Sequence, residues 1–383
     1  MKTITIICYG ILNSPKLSNA FFHGLPVPMK SIKTKLKLNN KQKTILAKHA
    51  GVARHAYNWG LATCIKEYEE TKKRLSAITL HKRLVAEVKS INPWYYEVSK
   101  CAPQQALRDL DRAFKNFLTI PERGFPKFKK KGRKDSFYLE GSIKIFQGNY
   151  IKLPRIGVVK TYEILPPVPI KNVTISKKAD SWYISFKYNF ESYPTEKIGE
   201  TIGVDIGINT LATCSDGSKF ANVKAYRQTK KRLVRHQRAV SKKVIGSKNR
   251  RKAVKKLAKL HKKVADIRAY ALHKLTSWLA KNHSTIVIED LNVSGMLKNH
   301  KLASAIADCG FYEFKRQLTY KCEWYGSELV IADRYYPSSQ ICSNCGHQQK
   351  MPLHLRTYEC SECGFETDRD FNAAVNLKNY VYK

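Results

Sequence analysis

The sequence predicts a multidomain α+β chain. Three observations carry that expectation: a helical block interrupts a series of short alternating strands in the first half, apolar strands alternate with helices beyond residue 198, and two Cys-x-x-Cys pairs lie near the C-terminus. At 383 residues the chain exceeds a typical single domain of roughly 100 to 200 residues, so two or three cores are expected.

Residues 30–40 (KSIKTKLKLNN) alternate polar and apolar side chains before Asn39-Asn40, the pattern of a half-buried strand entering a capped helix. From Lys41 to about Leu118 apolar residues recur at three and four, with Leu46, Ala50, Ala53 and Leu61 in one stretch and Ala106, Leu107, Leu110, Phe114 and Phe117 in another. Pro93 separates these helical blocks. Residues 124–134 (GFPKFKKKGRK) interleave six basic side chains with two phenylalanines and a proline. That composition predicts an exposed basic loop in which Lys127, Lys129, Lys130, Lys131 and Arg133 face phosphate. Short strands follow in 136–193 (SFYLEG, YIKLP, VVKTYEIL, KNVTISKK, WYISFKYNF), divided by Gly, Pro and Asn. With the first strand they make a small β-barrel or curled sheet, into which the helical block is inserted.

Beyond Glu200 the character changes. TIGVDIG reads as a strand, LATCSDGSKF as a hairpin around Asp216-Gly217, and TIVIED and ELVIADRY as buried strands separated by helices. Three strands, then helix, strand, helix, strand and a final helix is the order of an RNase H-like sheet. Between the hairpin and TIVIED, residues 224–282 hold 21 Lys or Arg and a single acid, Asp266, so half of the chain's net charge of +40 sits there. Apolar residues at helical spacing, broken at Gly246-Ser247, predict a basic helical hairpin. Lys230, Lys231, Arg232, Arg235, Arg250, Arg251, Lys255 and Lys256 are its candidate phosphate contacts.

A balance of 70 Lys and Arg against 30 Asp and Glu calls for a polyanion. No run of about 18 apolar residues and no isolated amphipathic anchor points to a membrane, so nucleic acid is the expected partner. MKTITIICYGIL lacks a signal-peptide layout, which with the cysteine usage suggests a reducing interior. Cys8, Cys64, Cys101, Cys214, Cys309 and Cys322 stand alone and read as small buried residues.

Cys342-x-x-Cys345 and Cys360-x-x-Cys363 each end in glycine. Two such knuckles let four thiolates converge on one structural Zn²⁺, whose closed shell leaves no place for a substrate water. Asp205 closes an apolar strand, where a bare carboxylate is costly unless something binds it. Glu289 closes TIVIE in the same way, and Asp370 opens the final helix. Strand ends and a helix N-terminus can bring these carboxylates within a few ångströms. Such a set suits two Mg²⁺ ions about 3.5 to 4 Å apart across a scissile phosphate, as in a metal-dependent nuclease. Singly, each acid also fits a turn, a strand end or, for Asp368 and Asp370, a helix N-cap.

VDIGINTLAT, IVIEDLNVSGM, the ribbon SSQICSNCG and YECSECG, and DRDFNAAVN together resemble the TnpB family, encoded by bacterial insertion sequences and related to compact type V CRISPR effectors. With QQALRDLDRAFKNF and GFPKFKKKGRKDSF, the resemblance runs from about Met29 to the C-terminus. It implies an RNA-guided DNA endonuclease of the bacterial cytoplasm or nucleoid, with a guide RNA and a target DNA as partners and a short flanking motif read by the protein. Residues 29–40 and 124–197 would form a β-barrel wedge domain, 41–123 a helical recognition lobe, and 198–383 a RuvC-like nuclease domain with the zinc ribbon at 338–367. Asp205, Glu289 and Asp370 would be the Mg²⁺ ligands. Asp370 is preferred to Asp368 because the related pattern Asp-x-Asn-x-Ala is matched by Asp370, Asn372 and Ala374. Residues 1–28 form an extension of no evident role and leave Met29 as an alternative start. Two other readings stay open: an RNA-guided DNA-binding regulator that does not cut, and a transposase joining strands with similar carboxylates.

Overall fold

Strand β1 (Met29–Lys37) feeds helix α1 (Asn40–Thr71) through a reciprocal cap, in which Asn39 Oδ1 accepts from the Gln42 N–H at 2.8 Å and Gln42 Oε1 accepts from the Asn39 N–H at 3.0 Å. The computed structural model describes residues 29–146, 148–190, 194–352 and 354–382, so the N-terminal extension and Cys8 lie outside the described residues. After α1 come α2 (Ala77–Arg83), a π turn, a 3₁₀ turn opened by Pro93, and α3 (Cys101–Thr119). Helices α1 and α3 cross closely at Gly60, where a Cβ would lie 2.7 Å from Leu107 Cδ2.

The strands β2 (Ser136–Glu140), β3 (Lys144–Phe146), β4 (Tyr150–Leu153), β5 (Gly157–Thr161), β6 (Asn172–Lys178) and β7 (Ser181–Asn189) join β1 in one antiparallel sheet, ordered β2-β6-β7-β1-β5-β4-β3. Strand β1 pairs with β7 over residues 29–35 and with β5 only at Leu36 and Lys37, so the sheet turns at the end of β1. Among the described residues no ladder joins β2 to β3. The sheet is therefore curled and open, a correction to the expected barrel in its closed sense. The expected strand through Leu165 also stops at Thr161, whose hydroxyl donates to the Glu163 and Asn149 carbonyls and pulls the chain out of the ladder. Leu46, Leu61 and Leu107 of the helices and Leu139, Ile151, Ile175 and Ile184 of the sheet belong to one continuous core.

A second core begins at β8 (Gly199–Asp205), followed by β9 (Thr210–Cys214) and β10 (Lys219–Ala221), with the hairpin turning at Gly217 (φ 85°). Next come α4 (Ala225–Ser241), α5 (Lys248–Asn282), β11 (His283–Glu289), α6 (Val293–Met296), α7 (Ala303–Cys309), α8 (Phe311–Tyr325) and β12 (Glu328–Ala332). The chain ends with β13 (Thr357–Glu359), β14 (Glu366–Asp368) and α9 (Arg369–Asn379) before a last turn. The five-stranded order is β10-β9-β8-β11-β12, with β8 antiparallel to β9 and β11 parallel to both β8 and β12. This is the RNase H-like order that the apolar runs predict. Helices α4 and α5 form a hairpin that closes on Leu233, Leu260 and Val264, and Ser247 caps α5 by accepting from the Arg250 N–H at 3.1 Å. Among the described residues no helix is long and apolar enough to cross a membrane.

Candidate active site and four-cysteine cluster

Strands β8 and β11 run parallel with Val204 opposite Ile288, so the next residues, Asp205 and Glu289, emerge side by side at the carboxyl edge of the sheet. Two residues before Asp205, Gly203 points to the same face. There α9 lies directly on the strand, and a Cβ at Gly203 would sit 2.0 Å from Ala374 O and 2.4 Å from Lys378 N. From Gly203 to Asp205 the strand advances about 6.6 Å, and from Ala374 back to Asp370 the helix advances about 6 Å. Backbone contact at the glycine thus carries Asp370 toward Asp205. The sequence pattern gives no sign of this contact beyond a glycine inside a buried strand.

Burial pushes Asp205 well above the ordinary carboxylate range, and the neighbouring charges of Glu289 and Asp370 push it further, with Asp368 contributing least among the acids. Burial also raises Glu289, against a hydrogen bond from the Ser338 hydroxyl to its Oε1. Asp370 has Arg356 at 3.4 Å and Arg369 at 3.9 Å. Asp368 instead caps α9, accepting from the Phe371 N–H at 3.0 Å, and pairs with Lys219 at 3.6 Å. The two candidates thus sit differently: Asp368 is the N-cap of α9, whereas the charge of Asp370 acts on Asp205 more strongly than that of Asp368.

The ribbon's sulfurs are closer together. Cys342, Cys345, Cys360 and Cys363 offer Sγ atoms all within 4.8 Å of one another, and among the described residues no other His, Cys, Asp or Glu group of three or more does so. Cys342 and Cys363 lie 3.7 Å apart and Cys345 and Cys360 3.6 Å apart. Four sulfurs about 2.3 Å from a tetrahedral zinc would be about 3.8 Å apart, so the donor set fits that ion. Among the described residues the three carboxylates do not form a set with all ligand oxygens within 4.8 Å of one another. Asparagines of α9 hold the ribbon's entry. Asn372 donates to Ile341 O at 2.7 Å and accepts from the Ser343 N–H at 2.9 Å, while Asn376 donates to Ser338 O at 2.8 Å and Ile341 O at 2.6 Å. Sequence reasoning missed Ser338 and Asn376; Asn372 was visible only as part of the Asp-x-Asn-x-Ala pattern.

Most of the expected phosphate contacts are exposed: Lys127, Lys130, Lys131 and Arg133 in the loop, and Lys230, Lys231, Arg232, Arg235, Arg251 and Lys256 on α4 and α5. Three are engaged within the fold. Lys129 has its ammonium 3.9 Å over the Tyr57 ring and its backbone clasped by Asn58. Arg250 donates to the Val240 and Lys243 carbonyls at 2.8 Å, closing the hairpin turn. Lys255 pairs with Asp180 at 3.2 Å, tying α5 to the β6–β7 turn.

Three family models match: "Probable transposase" over residues 185–300, "Cas12f1-like, TNB domain" over 311–377, and "Helix-turn-helix domain" over 29–73. The last region is built here as β1 and the single 32-residue helix α1. A Streptomyces pristinaespiralis protein provisionally named an RNA-guided DNA endonuclease is 36% identical, over 88% of this chain and 86% of its own length. InsQ of Escherichia coli K12, named in the same provisional terms, is 35% identical over 91% of both chains. The cryo-EM structure of a Cas12f1–sgRNA–target DNA complex covers 92% of this chain and 98% of its own at a TM-score of 0.55 and 12% identity, a likeness of fold. By its identity to these relatives along almost their whole length, the chain belongs to the TnpB family.

Proposed function

We propose that the protein is an RNA-guided DNA endonuclease that hydrolyses phosphodiesters at the carboxyl edge of the five-stranded sheet. The observation that carries this reading is the placement of Asp205 beside Glu289 at one strand edge, both raised by burial, with the charge of Asp370 on the packed helix α9 acting on Asp205. Asp205 and Glu289 have no cation within ion-pair distance among the described residues, Asp370 has Arg356 and Arg369, and hard oxygen donors suit Mg²⁺. When bound, such ions supply an activated water and stabilise the leaving oxygen. The chain's own part is to hold the three carboxylates: Ser338 fixes one oxygen of Glu289, and Gly203 lets α9 deliver Asp370. The four cysteines hold one structural zinc. The curled sheet and helical block serve as wedge domain (29–40 and 124–197) and recognition lobe (41–123) for the guide, and residues 198–383 serve as the nuclease domain, within the bacterial cytoplasm or nucleoid.

Sequencing the RNA that copurifies, followed by cleavage assays on DNA matching its variable end, tests this. A single abundant RNA directing Mg²⁺-dependent cuts is expected; heterogeneous RNA with no guided cutting overturns the reading. The match to "Probable transposase" favours one second reading, strand transfer, which would appear as DNA strands joined through a 3′ hydroxyl.

A further inference from the structure

Beside the loop that follows Asp205, the structure forms a cavity of about 270 Å³ between α4, α7 and residues 208–209. Lys224, Arg227, Lys230 and Lys301 line it, and none of the four has an acid within ion-pair distance among the described residues. Its one acid, Asp308, has only 4% of its side chain exposed. Asp308 accepts from the Tyr226 N–H at 2.9 and 3.0 Å and from the Arg227 N–H at 3.2 Å, and Arg268 stands 4.0 Å away. That carboxylate closes the start of α4 and leaves the four cations uncompensated.

The rim of the cavity is also hydrogen-bonded. Lys224 adopts a left-handed backbone (φ 43°), with its N–H donated to Asn222 Oδ1 at 3.0 Å, and the Asn222 amide donates to Ile208 O at 2.6 Å. Position matters as much as charge. The loops after β8 and β10 meet Lys301 and α7 here, and since β8 and β10 both run toward the edge that carries Asp205 and Glu289, the cavity lies on that side of the sheet, where ligands of open α/β sheets bind. Ile208 is three residues beyond Asp205, a reach of at most about 11 Å.

We propose that Lys224, Arg227, Lys230 and Lys301 form a subsite for one backbone phosphate of the DNA strand being cut, one to three nucleotides from the scissile bond. This rests on the nuclease reading above and adds to it the residues that hold the strand. Four cations without an acidic partner lining one cavity differ from Lys255 and Lys262 of α5, which pair with Asp180 and Asp266.

The test uses guide-loaded protein and target strands carrying a single neutral methylphosphonate at successive positions. In the wild type, one position near the cut should slow single-turnover cleavage about tenfold, the effect of one charge-assisted contact. In the Lys224→Ala/Lys301→Ala protein cleavage should already be about tenfold slower, the same methylphosphonate should cost nothing further, and guide RNA retention should be unchanged. Lys230→Ala, at an exposed position, should show a smaller loss with the same loss of response and guards against a folding failure of the double variant. Identical methylphosphonate profiles in variant and wild type would overturn the proposal, as would loss of guide RNA in place of slower cutting. If the wild type cuts no guided target, the nuclease reading fails on its own. Equilibrium binding of the same strands to Asp205→Ala protein then still decides whether the cavity holds a phosphate.

Discussion

The ribbon and the carboxylate edge both gather side chains fit for a metal, yet they are gathered by different forces. In the ribbon each knuckle holds its two cysteines across two intervening residues, and the two knuckles face each other with Cys342 and Cys363 at 3.7 Å and Cys345 and Cys360 at 3.6 Å. At the sheet edge the acids arrive from two strands and a helix, and packing of α9 on Gly203 holds together groups that repel. A preformed closed set suits a structural ion, whereas an open one leaves room for substrate and water.

The largest expected effect breaks the open site alone. Asp205→Ala should lower guided cleavage by on the order of 10³-fold or more, since it removes a metal ligand at the reacting phosphate, while binding of guide and target stays within about twofold. Undiminished cutting in single-turnover assays would remove Asp205 from the chemistry. The same residue carries a stability signature. Because burial raises Asp205 and Glu289, their protonated forms favour the fold, and that contribution is lost as pH rises through their raised folded-state values. Metal-free Asp205→Asn should therefore melt a few degrees above wild type at about pH 8, and the gap should close on acidification. Calorimetry at two pH values reads it.

The contrast also explains what could be read without the structure. The cysteine spacing is local, so the ribbon was legible from four residues and their glycines. Strand order in the second half was legible because VDIG, TIVIE and ELVIA carry continuous apolar signals, although β12, expected to be buried, is a half-exposed edge strand with Ile331 at 39% exposure. The closure of the first sheet was not, since it depends on register between β2 and β3 at opposite ends of a seven-strand order. Nor was the sharing of one core by the helical block and that sheet. Asp205 and Glu289 stood out as acids ending apolar strands, whereas Ser338, between Tyr336-Pro337 and the first knuckle, has the look of an ordinary turn residue. Its bond to Glu289 spans 49 positions, beyond any periodicity.

Two further variants probe whether the closed site supports the open one. Cys342→Ser should release zinc, measured by elemental analysis, and because Asn372 and Asn376 fasten the ribbon's entry to α9, guided cleavage should fall by roughly 10- to 100-fold as well. Zinc loss with full activity would show the two sites to be independent. Ser338→Ala leaves all four cysteines intact and frees one oxygen of Glu289. The Mg²⁺ concentration for half-maximal cleavage should rise by roughly 10-fold, with zinc content and guide binding unchanged. An unaltered Mg²⁺ requirement would reduce the Ser338 bond to a turn contact.

The smallest effect separates charge from chemistry. With a net charge of +40, half of it in residues 224–282, DNA binding should weaken linearly in log–log form as salt rises, because each neutralised phosphate releases condensed counterions. Lys127→Ala removes one exposed cation of the basic loop, so the slope should fall by at most about one unit while the cleavage rate at saturating DNA holds. Asp205→Ala should do the reverse, leaving the slope and losing the rate. Lys129→Ala serves as an internal standard: its ammonium lies on the Tyr57 ring, so it should change the slope less than Lys127→Ala and lower stability more. Equal slopes for both lysine variants would show that position over the ring does not withdraw that charge from the nucleic acid.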